Sequence, residues 1–132
     1  AGFYHGYKKT EARPDELIRA IRMPRREYEF SYFEKVVPRR AQAITKVGVA
    51  ATHSEAGWRV VANSDAPAVC RCPTVEALLE EGLTVRGPDD LIEALRRDIA
   101  PIDDIRSTAR YRERVLSRIL WFALHDACPS FE

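Results

Sequence analysis

No apolar run in this sequence approaches the roughly 20 residues that a membrane-spanning helix needs. Charge of one sign is not in excess either: 21 Lys and Arg stand against 20 Asp and Glu, a formal +1 over 132 residues. A general nucleic-acid binder carries a marked basic surplus, so that class is not expected. Cysteine is sparse, with only Cys70, Cys72 and Cys128. Their number is odd, and Cys70-Arg71-Cys72 is too tight for ordinary zinc-ligand spacing. The expectation is free thiols in a reducing cytosol and no metal site. The histidines, His5, His53 and His125, form no triad and no ligand spacing, and no Walker loop or Gly-x-Gly-x-x-Gly occurs. No residue of the chain is therefore assigned as catalytic. The opening residues include Tyr4, His5, Lys8, Lys9 and Glu11 rather than the apolar core of a secretory signal, which agrees with a cytoplasmic protein. The chain begins Ala1-Gly2 without Met, and this suggests a piece of a longer polypeptide cut near a domain boundary.

What is present fits one soluble core: 45% hydrophobic and 31% charged residues, in a length too short for two comfortable domains. Residues 1–14 read as irregular. Leu17, Ile18, Ala20, Ile21 and Met23 then run to Pro24, predicting a strand over roughly Glu16 to Arg22, with a helix opened by Pro14-Asp15-Glu16 as the alternative. Tyr28 to Phe33 alternates aromatic and polar residues, the period-2 pattern of a half-buried strand, with Tyr28, Phe30 and Tyr32 on one face. Glu34 to Gln42 reads as a basic loop, because alternation stops and Pro38 blocks pairing. A second strand is predicted over Ala43 to Ala50. Trp58 to Ala62 should return antiparallel to it after a turn at His53 to Gly57, and Ala68 to Arg71 adds a short fragment.

Three helices follow. One starts at Pro73 and stops at Gly82; the next runs from Gly87-Pro88 to about Ile99, with acidic residues first and Arg96-Arg97 last, as the helix dipole favours. The last takes Ser107 or Thr108 as N-cap and carries Tyr111, Val115, Ile119 and Phe122 as its buried stripe, with Leu116, Leu120 and Ala123 beside it. Strands before helices imply an α+β two-layer sandwich, a mainly antiparallel sheet of three or four strands packed with about three helices.

Lys35, Arg39 and Arg40 are the cations that the basic loop could aim at a phosphate, a carboxylate or the electron-rich edge of a redox cofactor. Solvated loop cations are the alternative. Tyr28, Phe30 and Tyr32 could instead serve a non-enzymatic module that binds RNA or a protein strand.

Gly6-Tyr7-Lys8-Lys9-Thr10 followed by Arg13-Pro14-Asp15-Glu16-Leu17-Ile18 resembles the end of the FAD-binding domain in xanthine dehydrogenase flavoproteins. Phe33-Glu34-Lys35, Arg39-Arg40 and Ile44-Thr45-Lys46-Val47 resemble the start of the next domain, and Asp103 to Thr108, Tyr111-Arg112 and Val115-Leu116 resemble its final helix. In that order they cover nearly the whole chain. The sequence thus resembles the carbon monoxide dehydrogenase flavoprotein C-terminal family, the last domain of the flavoprotein part of molybdenum hydroxylases, with bacterial xanthine dehydrogenase small subunits as the closest fit. The resemblance implies residues 1–14 as the end of the preceding domain and 15–132 as the C-terminal domain. It implies FAD held mainly by that preceding domain, NAD as acceptor, and [2Fe–2S] domains in the same chain. Molybdopterin would sit in a partner subunit, with neither nucleic acid nor membrane engaged. It also implies that Lys35 approaches the flavin ring, that Arg39, Arg40 and Gln42 belong to a loop near the nicotinamide, and that Arg106, Ser107, Tyr111 and Arg112 are structural. Two departures stand out. The family often has an acidic residue where Gln42 or Ala43 stands, and a Gly-Gly pair where this chain has Asn63 to Asp65 before Ala66-Pro67, so a positive-φ turn there would fall to Asn63 or Asp65.

Overall fold

A computed structural model describes residues 2–6, 8–63, 68–82 and 85–127. Along the chain come β1 (Tyr4–Gly6), β2 (Lys9–Thr10), β3 (Phe30–Val36), β4 (Val47–Ser54), β5 (Gly57–Asn63), β6 (Cys70–Arg71), α1 (Pro73–Glu80), α2 (Pro88–Asp98) and α3 (Ala109–Ala127). β1 and β2 form a separate antiparallel ribbon, and the main sheet runs β3-β4-β5-β6 with every neighbour antiparallel. α1 packs on β5, α3 on β4 and β3, and α2 joins the other two helices. The architecture is an α+β two-layer sandwich.

The ladder decides which residues face the helices. Phe30 opposes His53 and His53 opposes Trp58; Tyr32 opposes Ala51 and Ala51 opposes Val60. Val47, Val49, Ala51, Trp58, Val60 and Ala62 meet Val75, Leu79, Leu91, Leu95, Leu116, Leu120 and Leu124 in one apolar core. Each fully buried leucine contributes on the order of 2 kcal/mol, so packing rather than helix propensity holds the three helices. The opposite sheet face carries Ser31, Phe33 and Lys35, then Thr52, Ala50 and Gly48, then Arg59, Val61 and Asn63. β4 turns into β5 at Glu55-Ala56, where Gly57 takes φ +82 and a Cβ would lie 2.1 Å from the Glu80 Oε1.

A side-chain carboxylate from α2 closes the N-terminal end of α1. Its N-cap residue, Cys72, supplies no side-chain bond. Instead Asp98, from the end of α2, accepts the Thr74 and Val75 N–H groups at 2.9 and 3.1 Å and the Thr74 hydroxyl at 2.7 Å. Among the described residues β6 pairs with Val61 and Ala62 alone. Beyond it, Glu76 accepts the Val60 N–H at 2.9 Å and Glu80 accepts the Trp58 N–H at 2.5 Å. One face of α1 thereby stands in for the missing strand along the β5 edge.

The structure departs from the sequence pattern in several places: residues 1–14, read as irregular, hold the β1–β2 ribbon, and β4 runs from Val47 to Ser54 rather than from Ala43 to Ala50. Leu17 to Met23 is neither strand nor helix and is exposed, because no strand of the described chain pairs with it. β3 begins two residues later than predicted and continues through Glu34, Lys35 and Val36, since β4 supplies Val49, Gly48 and Val47 as partners. Ile44 stays outside β4 and is exposed. On α3 the buried residues are Arg112, Leu116, Ser117, Leu120, Ala123 and Leu124, while Tyr111 and Phe122 face solvent. Asp65 and Cys128 lie outside the described residues, and Asn63 is the last residue of β5.

Candidate functional site

The basic connection between β3 and β4 is closed at its base by the Lys46 N–H, which donates to the Val36 carbonyl at 2.9 Å. Lys35 is therefore a strand residue, not a loop residue. It sits on the outer face opposite Gly48, which offers no side chain across the ladder. Arg39 folds back on the loop: Nε donates to the Gln42 carbonyl and Nη2 to the Gln42 Oε1, each at 3.4 Å. Gln42 itself takes φ +49, a left-handed conformation unusual for a residue with a Cβ. Arg40 is exposed and makes no ion pair with a described residue. Lys46 places its Nζ 5.6 Å from the Tyr111 ring centroid, tying the far end of the loop to the first turn of α3. The structure thus joins Arg39 to Gln42, sets Lys35 at the strand that leads into them, and leaves Arg40 to solvent.

No protein-family model matches the sequence, and no curated protein matches it.

Lys35 near the end of β3, and Arg39, Arg40 and Gln42 on the connection that follows, are all exposed. That suits a single wall turned toward a ligand held by another body, rather than an enclosed pocket. The other members of the set implied by resemblance have structural jobs, partly exchanged from expectation. Arg112, rather than Tyr111, is the buried anchor: its side chain is 5% exposed and its Nη2 lies 2.6 Å from the Asp104 Oδ1. Asp104 also accepts the Arg106 and Ser107 N–H groups at 2.8 and 3.0 Å. The Arg112 guanidinium and then the Arg106 N–H hold the Asp104 carboxyl below the usual range. Thr108 is the cap, accepting the Tyr111 N–H at 3.1 Å.

Glu76 and Asp98, which order α1 and the β5 edge, carry no motif. Their pairing depends on contacts 16 and 24 residues away. Burial alone would raise the Glu76 carboxyl. Bonds from Arg71 and the Val60 N–H outweigh it, with help from Arg59, and hold it below the ordinary value. The histidines have local partners: His5 with Glu11, His53 with Glu29 and stacked on Trp58, and His125 with Asp126. Among the described residues no group of His, Cys, Asp and Glu could hold a metal ion. Cys72 is fully buried, and contact with Cys70 and burial push its thiol well up. No described helix is long and apolar enough to cross a membrane.

Proposed function

We propose that this chain is the C-terminal domain of the FAD subunit of a xanthine dehydrogenase-type molybdenum hydroxylase. It forms one wall of the flavin and NAD site and does not turn over alone. The observation that carries the reading is the ordered run of motifs from Gly6 to Leu116, at positions that include the exposed basic connection. FAD, when bound, supplies the two-electron chemistry between purine oxidation at molybdenum and reduction of NAD+. The chain's own part is electrostatic. The Lys35 ammonium stabilises negative charge gained by the reduced flavin. Arg39, clasped to Gln42, gives the loop a fixed shape, and Arg40 offers a second cation toward the nicotinamide side.

The exposed outer-face position of Lys35 and the absence of a side chain on Gly48 agree with this role. Stacking of RNA on Tyr28, Phe30 and Tyr32 has less support. Phe30 is only 9% exposed and packs between Tyr32 and Trp58 on the core side of the sheet. The test is to express the chain joined to its natural upstream coding sequence and record the flavin absorbance of the purified protein. Bound flavin in the longer protein and a colourless 132-residue chain are expected. A longer protein without flavin, or tight RNA binding with a steep salt dependence, would refute the reading.

A further inference from the structure

Arg110, Arg114 and Arg118 stand four residues apart on α3, and all three are exposed. They form a row along the helix at steps of about 6 Å. The arginines next to them have carboxylates: Arg96 lies 2.5 Å from Glu113, and Arg112 lies 2.6 Å from Asp104. Among the described residues the guanidinium groups of Arg110, Arg114 and Arg118 have no such partner. Like charges one turn apart weaken a helix, and this row holds two such pairs with nothing inside the chain to offset them. The next row round the helix is apolar. Tyr111 is 41% and Phe122 55% exposed, with Val115 half-buried between them. A shallow depression of about 430 Å³ joins the two rows, lined by Thr108, Arg110, Tyr111, Arg114, Val115 and Arg118. Lys46 adds a fourth cation beside it, with its Nζ 5.6 Å from the Tyr111 ring centroid.

We infer that this face of α3 docks an acidic amphipathic helix of a partner protein, independently of the flavoprotein reading. Charge complementarity names the occupant. A helix with Glu or Asp at every fourth position repeats the spacing of the arginine row. It sets one carboxylate against each guanidinium, whose fork takes it in bidentate form. Apolar residues on the adjoining side of that helix cover Tyr111, Val115 and Phe122. Arginine and tyrosine in and around a depression are the residue types that anchor protein contacts. Nucleic acid fits less well. The chain's formal charge is only +1, and a phosphate backbone would leave the apolar row wet. An anionic membrane fits less well too. The apolar face that a surface helix pushes into lipid is spent here on the core, with Leu116, Leu120 and Leu124 buried.

The probe is a fluorescein-labelled synthetic helix with Glu at every fourth position and Leu on the adjoining side. It is titrated with the 132-residue chain and read by fluorescence anisotropy. Saturable binding is expected, and the same peptide with Gln for each Glu should bind about 10-fold more weakly or worse. Arg114→Glu should weaken the acidic peptide by about 10-fold or more, and Tyr111→Ala by several-fold through the lost apolar cover. Arg97→Glu changes the net charge equally on the exposed surface of α2 and should leave the affinity unchanged. Circular dichroism checks that each variant keeps its helices. Absence of saturable binding overturns the proposal. So does equal binding of the Gln peptide, or an Arg97→Glu effect as large as that of Arg114→Glu. A single-stranded RNA oligomer or phosphatidylserine vesicles that bind more tightly than the peptide, with the same loss in Arg114→Glu, also overturn it.

Discussion

Replacing Glu76 with alanine tests how the β5 edge is closed. Its side chain is 6% exposed; it accepts the Val60 N–H at 2.9 Å and the Arg71 Nε at 2.8 Å, with the Arg59 Nη1 at 3.8 Å. Alanine leaves the Val60 N–H buried without an acceptor, which costs about 1–3 kcal/mol. The Arg71 side chain is 53% exposed, so water can re-solvate it, and its lost ion pair adds less than about 1 kcal/mol. The sum is about 1–4 kcal/mol, a fall of roughly 5–15 °C in Tm for a domain of this size. Glu76→Gln keeps an acceptor for Val60 and loses only the charge, so it should cost about 1 kcal/mol. Urea and thermal unfolding followed by circular dichroism would read both. A loss below about 0.5 kcal/mol for alanine would refute edge closure. So would a glutamine variant as unstable as alanine, because the effect would then lie in the charge and not in the edge.

Asp98→Ala removes the acceptor for the first N–H groups of α1 and should cost about 1–2 kcal/mol; hydrogen exchange should show α1 opening before α2. Gly57→Ala combines a φ of +82 with a Cβ 2.1 Å from the Glu80 carboxylate, and should destabilise by about 1–2 kcal/mol or more in the same unfolding assays. The Glu76 and Asp104 carboxyls both sit below their ordinary values in the folded chain, so their contribution is full above the normal carboxylate range and is lost as pH falls through the depressed values. Stability should therefore be level near neutrality and drop on acidification. The Glu76→Gln variant should lose part of that acid slope, and an unchanged slope would contradict the role given to Glu76.

Much of the fold could be read from local pattern because local chemistry decided it. Pro73 and Gly82 bound α1, Leu91 and Leu95 mark the buried face of α2, and Trp58 to Ala62 alternates as β5 does. Periodicity failed where two answers were equally periodic. α3 carries both Tyr111-Val115-Ile119-Phe122 and Leu116-Leu120-Ala123, and the rotation that buries the second comes with Arg112 turned inward onto Asp104. Strand ends failed for another reason. Lys35 looked like a loop residue beside Pro38, but the length of β3 is set by Val47 and Gly48 across the ladder. Leu17 to Met23 reads as a strand from composition, and composition cannot supply the partner a strand requires. In the candidate site the cations were visible in the sequence; the Arg39–Gln42 clasp and the Lys46–Tyr111 contact needed the backbone.

If the chain is, as proposed, part of an FAD subunit, the midpoint potential of the flavin in that intact subunit, with Lys35 and with Lys35→Ala, tests the central claim most directly. An ammonium roughly 4 Å from the reduced ring contributes about 4 kcal/mol at an effective dielectric of 20. For a two-electron couple that is at most about 90 mV, and solvent at this exposed position reduces it. The variant should lower the potential by a few tens of millivolts, on the order of that reduced figure, and slow NAD+ reduction while purine oxidation at molybdenum persists. An unchanged potential with unchanged NAD+ kinetics would contradict the account.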